Sequence, residues 1–266
     1  MITQPCNVID GICVFHDDID TDHEDYPAEG LDVLFQHEEE HFWFVSRREF
    51  ILKYLRKYIG YESKLIEIGA GTANVAHYLM QNGYKNISVG EMHRNGLKYA
   101  EKYGFVSRYQ FDLMRAPFEA EFDAVGFFDV LEHIEDDEGA IRQIHKLLQP
   151  EGYLVLTVPA HQWLWSRFDV LSGHKRRYTK QALRTLLERN GFEVMEARYF
   201  MMAIVPLLLL RKMVFAEKNE TRAEAALSIH PFINRILLML TRLENSVNAW
   251  LPNVCGGSLM MIARRR

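Results

Sequence analysis

The sequence is short of cysteine. Its three, Cys6, Cys13 and Cys255, are an odd and sparse set without tight spacing, which argues against a disulfide framework and against a cysteine-based zinc site. Basic charge is not in excess: Lys and Arg number 31 against 36 Asp and Glu, for a formal net charge of -5. Binders of nucleic acid usually carry a basic face. Only Lys175-Arg176-Arg177 and Arg264-Arg265-Arg266 cluster here, so no nucleic-acid partner is expected. No apolar run is long enough to span a bilayer. Met201 to Leu210 (MMAIVPLLLL) is roughly half of the ~20 residues a spanning helix needs, and Pro206 interrupts it. It reads as a core helix, or as one lying at a membrane surface with Arg211 and Lys212 at the headgroups. Peripheral membrane contact through residues 201–215 is therefore among the expectations. The opening residues, MITQPCNVIDGICVFHDD, lack a basic stretch followed by an apolar core, so no secretory leader is expected. The expected setting is a reducing cytoplasm, with the inner face of the membrane as a possible station. Hydrophobic residues at 48% and charged residues at 25% are ordinary for a globular chain, which excludes disorder over most of the length.

What is present is a strong alternation of short apolar runs and amphipathic stretches. Residues 1–30 are acidic and turn-rich and read as a loosely ordered arm. Residues 31–63 form a helical cap, two helices joined around His41-Phe42-Trp43-Phe44. From Lys64 to Phe200 strands such as LIEIG, NISVGE, FDAVGFFDV and YLVLTVPA alternate with helices such as TANVAHYLMQNG and TKQALRTLLERNG, the latter with Thr179 as N-cap. That alternation implies a parallel sheet covered by helices on both faces. Residues 201–257 read as a helical lobe inserted before the last strand, with apolar positions at Phe232, Ile233, Ile236, Leu237, Leu240, Leu243 and Val247. Residues 258–266 are the last strand and a basic tail.

Open parallel sheets bind ligands beyond the carboxyl ends of their strands. The first strand of this unit ends in Glu67-Ile68-Gly69-Ala70-Gly71-Thr72-Ala73. Glycines there let the backbone turn tightly and approach a ligand beside a helix N-terminus, although such a loop also serves as an ordinary strand–helix turn. The next strand ends at Glu91, about 20 residues on, where a carboxylate can accept from both hydroxyls of a ribose. The third ends at Asp112, which could accept from an exocyclic amine, and the fourth runs into Phe128-Asp129-Val130-Leu131-Glu132-His133-Ile134. Acids at three successive strand ends point to a nucleoside site more strongly than any one of them.

The segments EIGAGTANVAHYL, VGEM, QFDLMRAPF, FDAVGFFDVLEHI and LLQPEGYLVLTVP, in this order, resemble the class I S-adenosylmethionine-dependent methyltransferases over about Lys64 to Phe200. HFWFVSRR, LWSRFDVLSGHKRRYTK and GGSLMMIARR are similar to a bacterial subgroup of that family acting on small molecules. The resemblance implies a Rossmann-like, doubly wound α/β fold with a seven-stranded mixed sheet whose last strand is antiparallel. It implies S-adenosylmethionine as cofactor. Gly69, Ala70 and Gly71 would lie under its methionine part and Glu67 would orient that loop. Glu91 would hold the ribose, Met92 would pack on adenine, and Asp112 with Leu113 would read the adenine edge. Phe128 and Asp129 would line the cofactor wall. The family's usual third glycine is Ala73, a departure expected to add only a methyl where a helix packs.

The acceptor side is read from residue chemistry. Transfer to a hydroxyl needs alignment and removal of a proton, for which His133, His161 and His174 are candidates, each of which also fits a structural hydrogen bond. Phe42, Trp43, Trp163 and Trp165 could form an aromatic lid or could be ordinary core. Arg176 and Arg177 could clamp an anionic group of the acceptor or lie in a solvated turn. No metal site is assigned. His37-Glu38-Glu39-Glu40-His41 matches the zinc-hydrolase pattern H-E-x-x-H but lacks an evident third ligand. Asp18, Asp20, Asp22 and Glu29 have calcium-loop spacing, with His23 where glycine is needed. The expected activity is methylation, most simply at oxygen, of a small or lipid-like acceptor. The other readings are a cofactor-binding or membrane-associated scaffold without catalysis, and a metal-dependent hydrolase using His37, Glu38 and His41.

Overall fold

The computed structural model describes residues 1–19, 30–214 and 229–266. Its centre is a sheet of nine strands, β1 (Asn7–Ile9), β2 (Ile12–Val14), β3 (Leu65–Ile68), β4 (Ile87–Glu91), β5 (Arg108–Gln110), β6 (Phe122–Phe128), β7 (Leu148–Pro159), β8 (Phe192–Phe200) and β9 (Ser258–Arg265). Their spatial order is β1-β2-β5-β4-β3-β6-β7-β9-β8. The seven strands from β3 to β9 are the expected doubly wound sheet. β5, β4, β3, β6 and β7 pair in parallel, and β9 slots antiparallel between β7 and β8. Strand order reverses between β3 and β6, so the loops after these two strands part and leave a crevice.

The two additional strands correct the reading of residues 1–30 as a loose arm. β1 and β2 form a hairpin whose Ile9 and Ile12 are paired across a two-residue turn. Asp10 and Gly11 both have positive φ, 51° and 72°, which is the turn geometry that Asp-Gly favours. β2 then adds in parallel to β5. Ile12 and Val14 are buried beneath it, and Thr3 donates its N–H to the Pro117 carbonyl at 2.9 Å. A disulfide joins Cys6 to Cys13 across the hairpin, with Cα atoms 5.5 Å apart, against the expectation of unpaired thiols. Cys255 is free. Asp20, Asp22 and Glu29 of the calcium-loop pattern lie outside the described residues; Asp18 pairs instead with Arg115 at 2.9 Å.

Helices cover both faces: α1 (Gly30–His37), α2 (Phe42–Leu55), α3 (Asn74–Gln81), α4 (Arg94–Lys102), α5 (Asp137–Leu147), α6 (Arg167–Leu171), α7 (Lys180–Arg189), α8 (Val205–Val214) and α9 (Pro231–Val247). Local chemistry sets their ends. Asp136 caps α5 by accepting from Gly139 N–H, with Asp137 and Glu138 in the first turn and His145 and Lys146 in the last, as the helix dipole favours. Thr179 caps α7 through Ala182 N–H. Pro206 does not interrupt α8; it stands in its first turn, where a missing N–H costs nothing.

α9 is built inside out. Its buried positions include Thr241, Glu244 and Asn245. Glu244 accepts from the N–H groups of Met202 and Ala203 at 2.9 and 2.7 Å. Asn245 donates to the Ser46 carbonyl, and Asn234 accepts from Phe42 N–H at 2.8 Å. Of the apolar positions named from the sequence only Leu237 is buried; Phe232, Ile233, Ile236, Leu240, Leu243 and Val247 are exposed. Polar bonds to α2 orient this helix, and its apolar face is left outward. No helix among the described residues is long and apolar enough to cross a membrane.

The hairpin belongs to the folded unit, because Ile12 is 1% exposed and packs in the same apolar cluster as Phe50 and Val89. Ile12→Ala is expected to lower unfolding free energy by about 2–5 kcal/mol, measured by urea denaturation. A loss below about 1 kcal/mol would show an arm that adds nothing to the core.

Candidate active site

At the carboxyl ends of the parallel strands a cavity of about 1150 Å³ opens, reaching from the loops after β3, β4, β5 and β6 to α2, α8 and α9. Glu67, Gly69, Ala70, Gly71 and Glu91 line it. So do Met92, Asp112, Leu113, Phe128 and Asp129. All ten residues that the sequence placed around a nucleoside cofactor thus face one space.

The glycine loop is held from two sides. Gly69 has φ +65°, and a Cβ there would sit 2.5 Å from Val130 Cγ2, so no side chain fits. Gly96 in α4 brings that helix against the loop, where a Cβ would lie 2.4 Å from the Gly71 carbonyl oxygen. Ala73 has φ 64° at the N-cap of α3. The position is special for its left-handed backbone, more than for the methyl packing expected of it, and a non-glycine residue is strained there. Having no side-chain oxygen, Ala73 cannot cap α3. Glu67 does so from β3, accepting from Ala76 N–H at 2.6 Å.

The acids differ in what they hold. Glu91 Oε2 accepts from Gly71 N–H at 2.8 Å, and its Oε1 from Met92 and His93 N–H at 2.7 and 3.1 Å. Asp112 caps the turn after β5 through Met114 N–H at 2.9 Å, and its own N–H donates to His16 Nδ1. Asp129 accepts from Thr157 Oγ1 at 2.9 Å and pairs with Arg47 of α2. Arg47 is a residue that sequence reasoning missed, although it stands in the quoted HFWFVSRR segment. It lines the cavity, its Nε is buried without a partner, and its charge acts on Glu38, Glu67 and Glu132 as well.

The H-E-x-x-H pattern does not form a zinc site. α1 ends at His37, and His41 is the N-cap of α2, accepting from Trp43 N–H. Glu38 turns inward and accepts from Thr72 Oγ1 at 2.6 Å.

On the other wall, Glu132, His133 and His174 meet. The His133 and His174 rings are 4.9 Å apart, edge to face. Glu132 is 1% exposed, neither carboxylate oxygen finds a partner, and burial pushes its pKa well up. The sequence reading quoted Glu132 within DVLEHI without singling it out. His174 bonds through Nδ1 to Asp169 at 2.9 Å, and Arg177 forks onto the same carboxylate at 2.7 and 2.9 Å. Burial alone would raise Asp169; the bonds from His174 and Arg177 outweigh it and hold its pKa at about 2.

The remaining acceptor-side candidates divide. Phe42, Trp43, Trp165 and Arg177 line the cavity. His161, Trp163 and Arg176 are not among its lining residues. His161 packs on Tyr199 with ring centroids 4.6 Å apart, and Arg176 pairs with Asp137 at 3.1 Å. Both arginines of the basic cluster are thus engaged by acids.

Burial raises Glu38 to about 7 and Glu67 to about 8, against the ordinary 4.5. At these two groups the folded chain therefore holds more protons than the unfolded one between about pH 4.5 and 8, and the stability they contribute is lost as pH rises through that window. Glu67→Gln, which cannot ionise, is expected to gain thermal stability relative to the wild type from pH 5 to 8 in melts of both. A constant difference would contradict a raised Glu67 pKa.

Comparison with known proteins agrees with this geometry. The family model for a methyltransferase domain matches residues 35–197. The phosphoethanolamine N-methyltransferase 2 of Haemonchus contortus, in complex with S-adenosylmethionine, superposes with TM-score 0.59 at 17% identity, covering 92% of this chain and 59% of that one. An S-adenosylmethionine-dependent methyltransferase of Thermotoga maritima gives 0.55 at 15% identity, over 90% of this chain and 96% of that one. One from Mesorhizobium loti gives 0.52 at 16%, over 80% and 96%. No curated protein sequence matches the chain. At these identities the structures speak for the fold; the family match speaks for descent, and the chain belongs to the class I S-adenosylmethionine-dependent methyltransferases.

Proposed function

We propose that this methyltransferase acts at an oxygen of an amphiphilic acceptor whose apolar part lies between α2, α8 and α9. The observation that carries the reading is the cavity mouth. Leu207, Leu210 and Ile233 both line the cavity and are exposed, and they continue into the outward apolar face of α9. Such a face is costly in water unless something apolar uses it. The same surface is where a membrane presenting the acceptor would touch the protein.

The cofactor half fits S-adenosylmethionine. Gly69 and Gly71 leave backbone bare against the methionine part, and Glu91 offers its carboxylate to the ribose hydroxyls. Met92 and Leu113 flank the adenine, and Asp112 accepts at its edge. The partnerless Nε of Arg47 suits a carboxylate, so Arg47 takes that end of the cofactor, with Asp129 beside the ammonium. Bound there, the cofactor supplies an electrophilic methyl group. Phe42, Trp43 and Trp165 form one wall of the acceptor space, and His133 and His174 face the place where an acceptor hydroxyl would lie. His161, Trp163 and Arg176, off the cavity, act by packing and ion pairing.

A transfer assay with methyl-labelled cofactor tests this. Label should pass to hydroxyl-bearing amphiphiles in preference to small polar acceptors. Ile233→Asp should lower kcat/KM for the amphiphile by about tenfold or more while leaving cofactor affinity unchanged. Glu91→Ala should instead weaken cofactor binding by about 1–3 kcal/mol. Transfer confined to small polar amines would refute both the oxygen and the amphiphile.

A further inference from the structure

The cluster on the acceptor wall is more than a pair of histidines. Glu132 and His133 sit in the short turn 131–133 after β6, and His174 follows α6. The chain is tied so that they meet: Lys175 donates its N–H to the Glu132 carbonyl at 2.7 Å, and His174 its N–H to the Asp169 carbonyl at 2.9 Å. One donor atom from each of the three side chains lies within 4.8 Å of the others. All three line the cavity.

Two features distinguish this group from an incidental cluster. Glu132 is buried with both oxygens unpartnered, a state that costs several kcal/mol for a carboxylate unless a cation or hydrogen bonds meet it. His174 Nδ1 is taken by Asp169, so its Nε2 is the nitrogen available to the cluster. A carboxylate behind the imidazole is the arrangement that orients ligating histidines. Arg177, forked onto Asp169, fixes that carboxylate in turn. The same residues would not need such a second layer merely to pack.

We propose that Glu132, His133 and His174 bind a divalent first-row transition cation, with its open coordination positions facing the cavity and taking a hydroxyl oxygen of the acceptor. Two imidazoles and one carboxylate suit such ions, and three protein ligands leave positions open. The proposal deepens the methyltransferase reading and rests on it, because it gives the acceptor oxygen a place. A cation there lowers the pKa of the hydroxyl it binds, whose proton passes to solvent water. In sequence the site is hidden by the separation between His133 and His174, which only the turn after α6 closes.

The test uses the full-length protein, freed of metal by chelation and titrated with cobalt(II) alone, read by its visible absorption. S-adenosylhomocysteine binding to the same samples is measured by calorimetry. One equivalent of cobalt should bind, and His174→Ala and Glu132→Gln should each weaken it by about 100-fold or more, with Asp169→Asn weaker by about 10–100-fold. Each variant should still bind S-adenosylhomocysteine, which shows that it is folded. No cobalt binding by wild type that binds S-adenosylhomocysteine overturns the metal site and leaves the methyltransferase reading standing. Equal cobalt affinity in wild type, His174→Ala and Glu132→Gln overturns it as well. If cobalt binds but S-adenosylhomocysteine does not, the cofactor reading is what fails.

Discussion

Arg47 stands among four acids, Glu38, Glu67, Asp129 and Glu132, at the place where strand order reverses. A guanidinium keeps its charge in any protein environment, so it can meet several carboxylates whose own charges burial opposes. This arrangement connects the parts of the molecule. Arg47 belongs to α2, Asp129 follows β6, Glu67 lies in β3 and Glu38 follows α1. Through Glu67 the set reaches the N-terminus of α3, and through Glu38 it reaches Thr72 in the glycine loop. Losing Arg47 would leave Asp129 without its partner and let burial push Glu38, Glu67 and Glu132 further toward their protonated forms.

The amino-terminal helices do more than cover the cavity. They bring Arg47 to its wall, and they also receive α9 through polar bonds to Ser46 and Phe42. That use of polar bonds for attachment is what frees the apolar side of α9 to face outward. The cavity and its apolar mouth are therefore linked through one helix, α2, whose inner side meets the loop after β6 and whose other side carries the lobe.

How much of this could be read from the chain depends on distance in sequence. The seven strands, the glycine loop and the acids at Glu67, Glu91, Asp112 and Asp129 were legible, because each lies at the end of a local apolar run and needs no partner to be recognised. The hairpin at Asp10-Gly11 was overlooked because the acidic composition after it dominates residues 1–30. Composition averages over a window; a two-residue turn does not. The disulfide followed from the same oversight, since only the hairpin brings Cys6 to Cys13. Arg47 and the meeting of Glu132 with His174 are tertiary facts. No spacing announces them, although both stand inside segments that were already conspicuous. His161, Trp163 and Arg176 show the reverse case: residue types suited to chemistry whose backbone places them outside the cavity. The direction of α9 was illegible for a different reason. An apolar stripe indicates a buried face only when the polar side has no better partner, and here Glu244 and Asn245 do.

The central claim is that the crevice binds the amino-acid end of S-adenosylmethionine through Arg47. Calorimetric affinities of S-adenosylhomocysteine and of methylthioadenosine, which lacks the carboxylate and ammonium, test it in the wild type and in Arg47→Met. The account predicts much tighter binding of S-adenosylhomocysteine by the wild type, and a gap that nearly closes in the variant through loss of that ligand alone. Equal affinity for the two ligands in the wild type, or an unchanged gap in the variant, would contradict it.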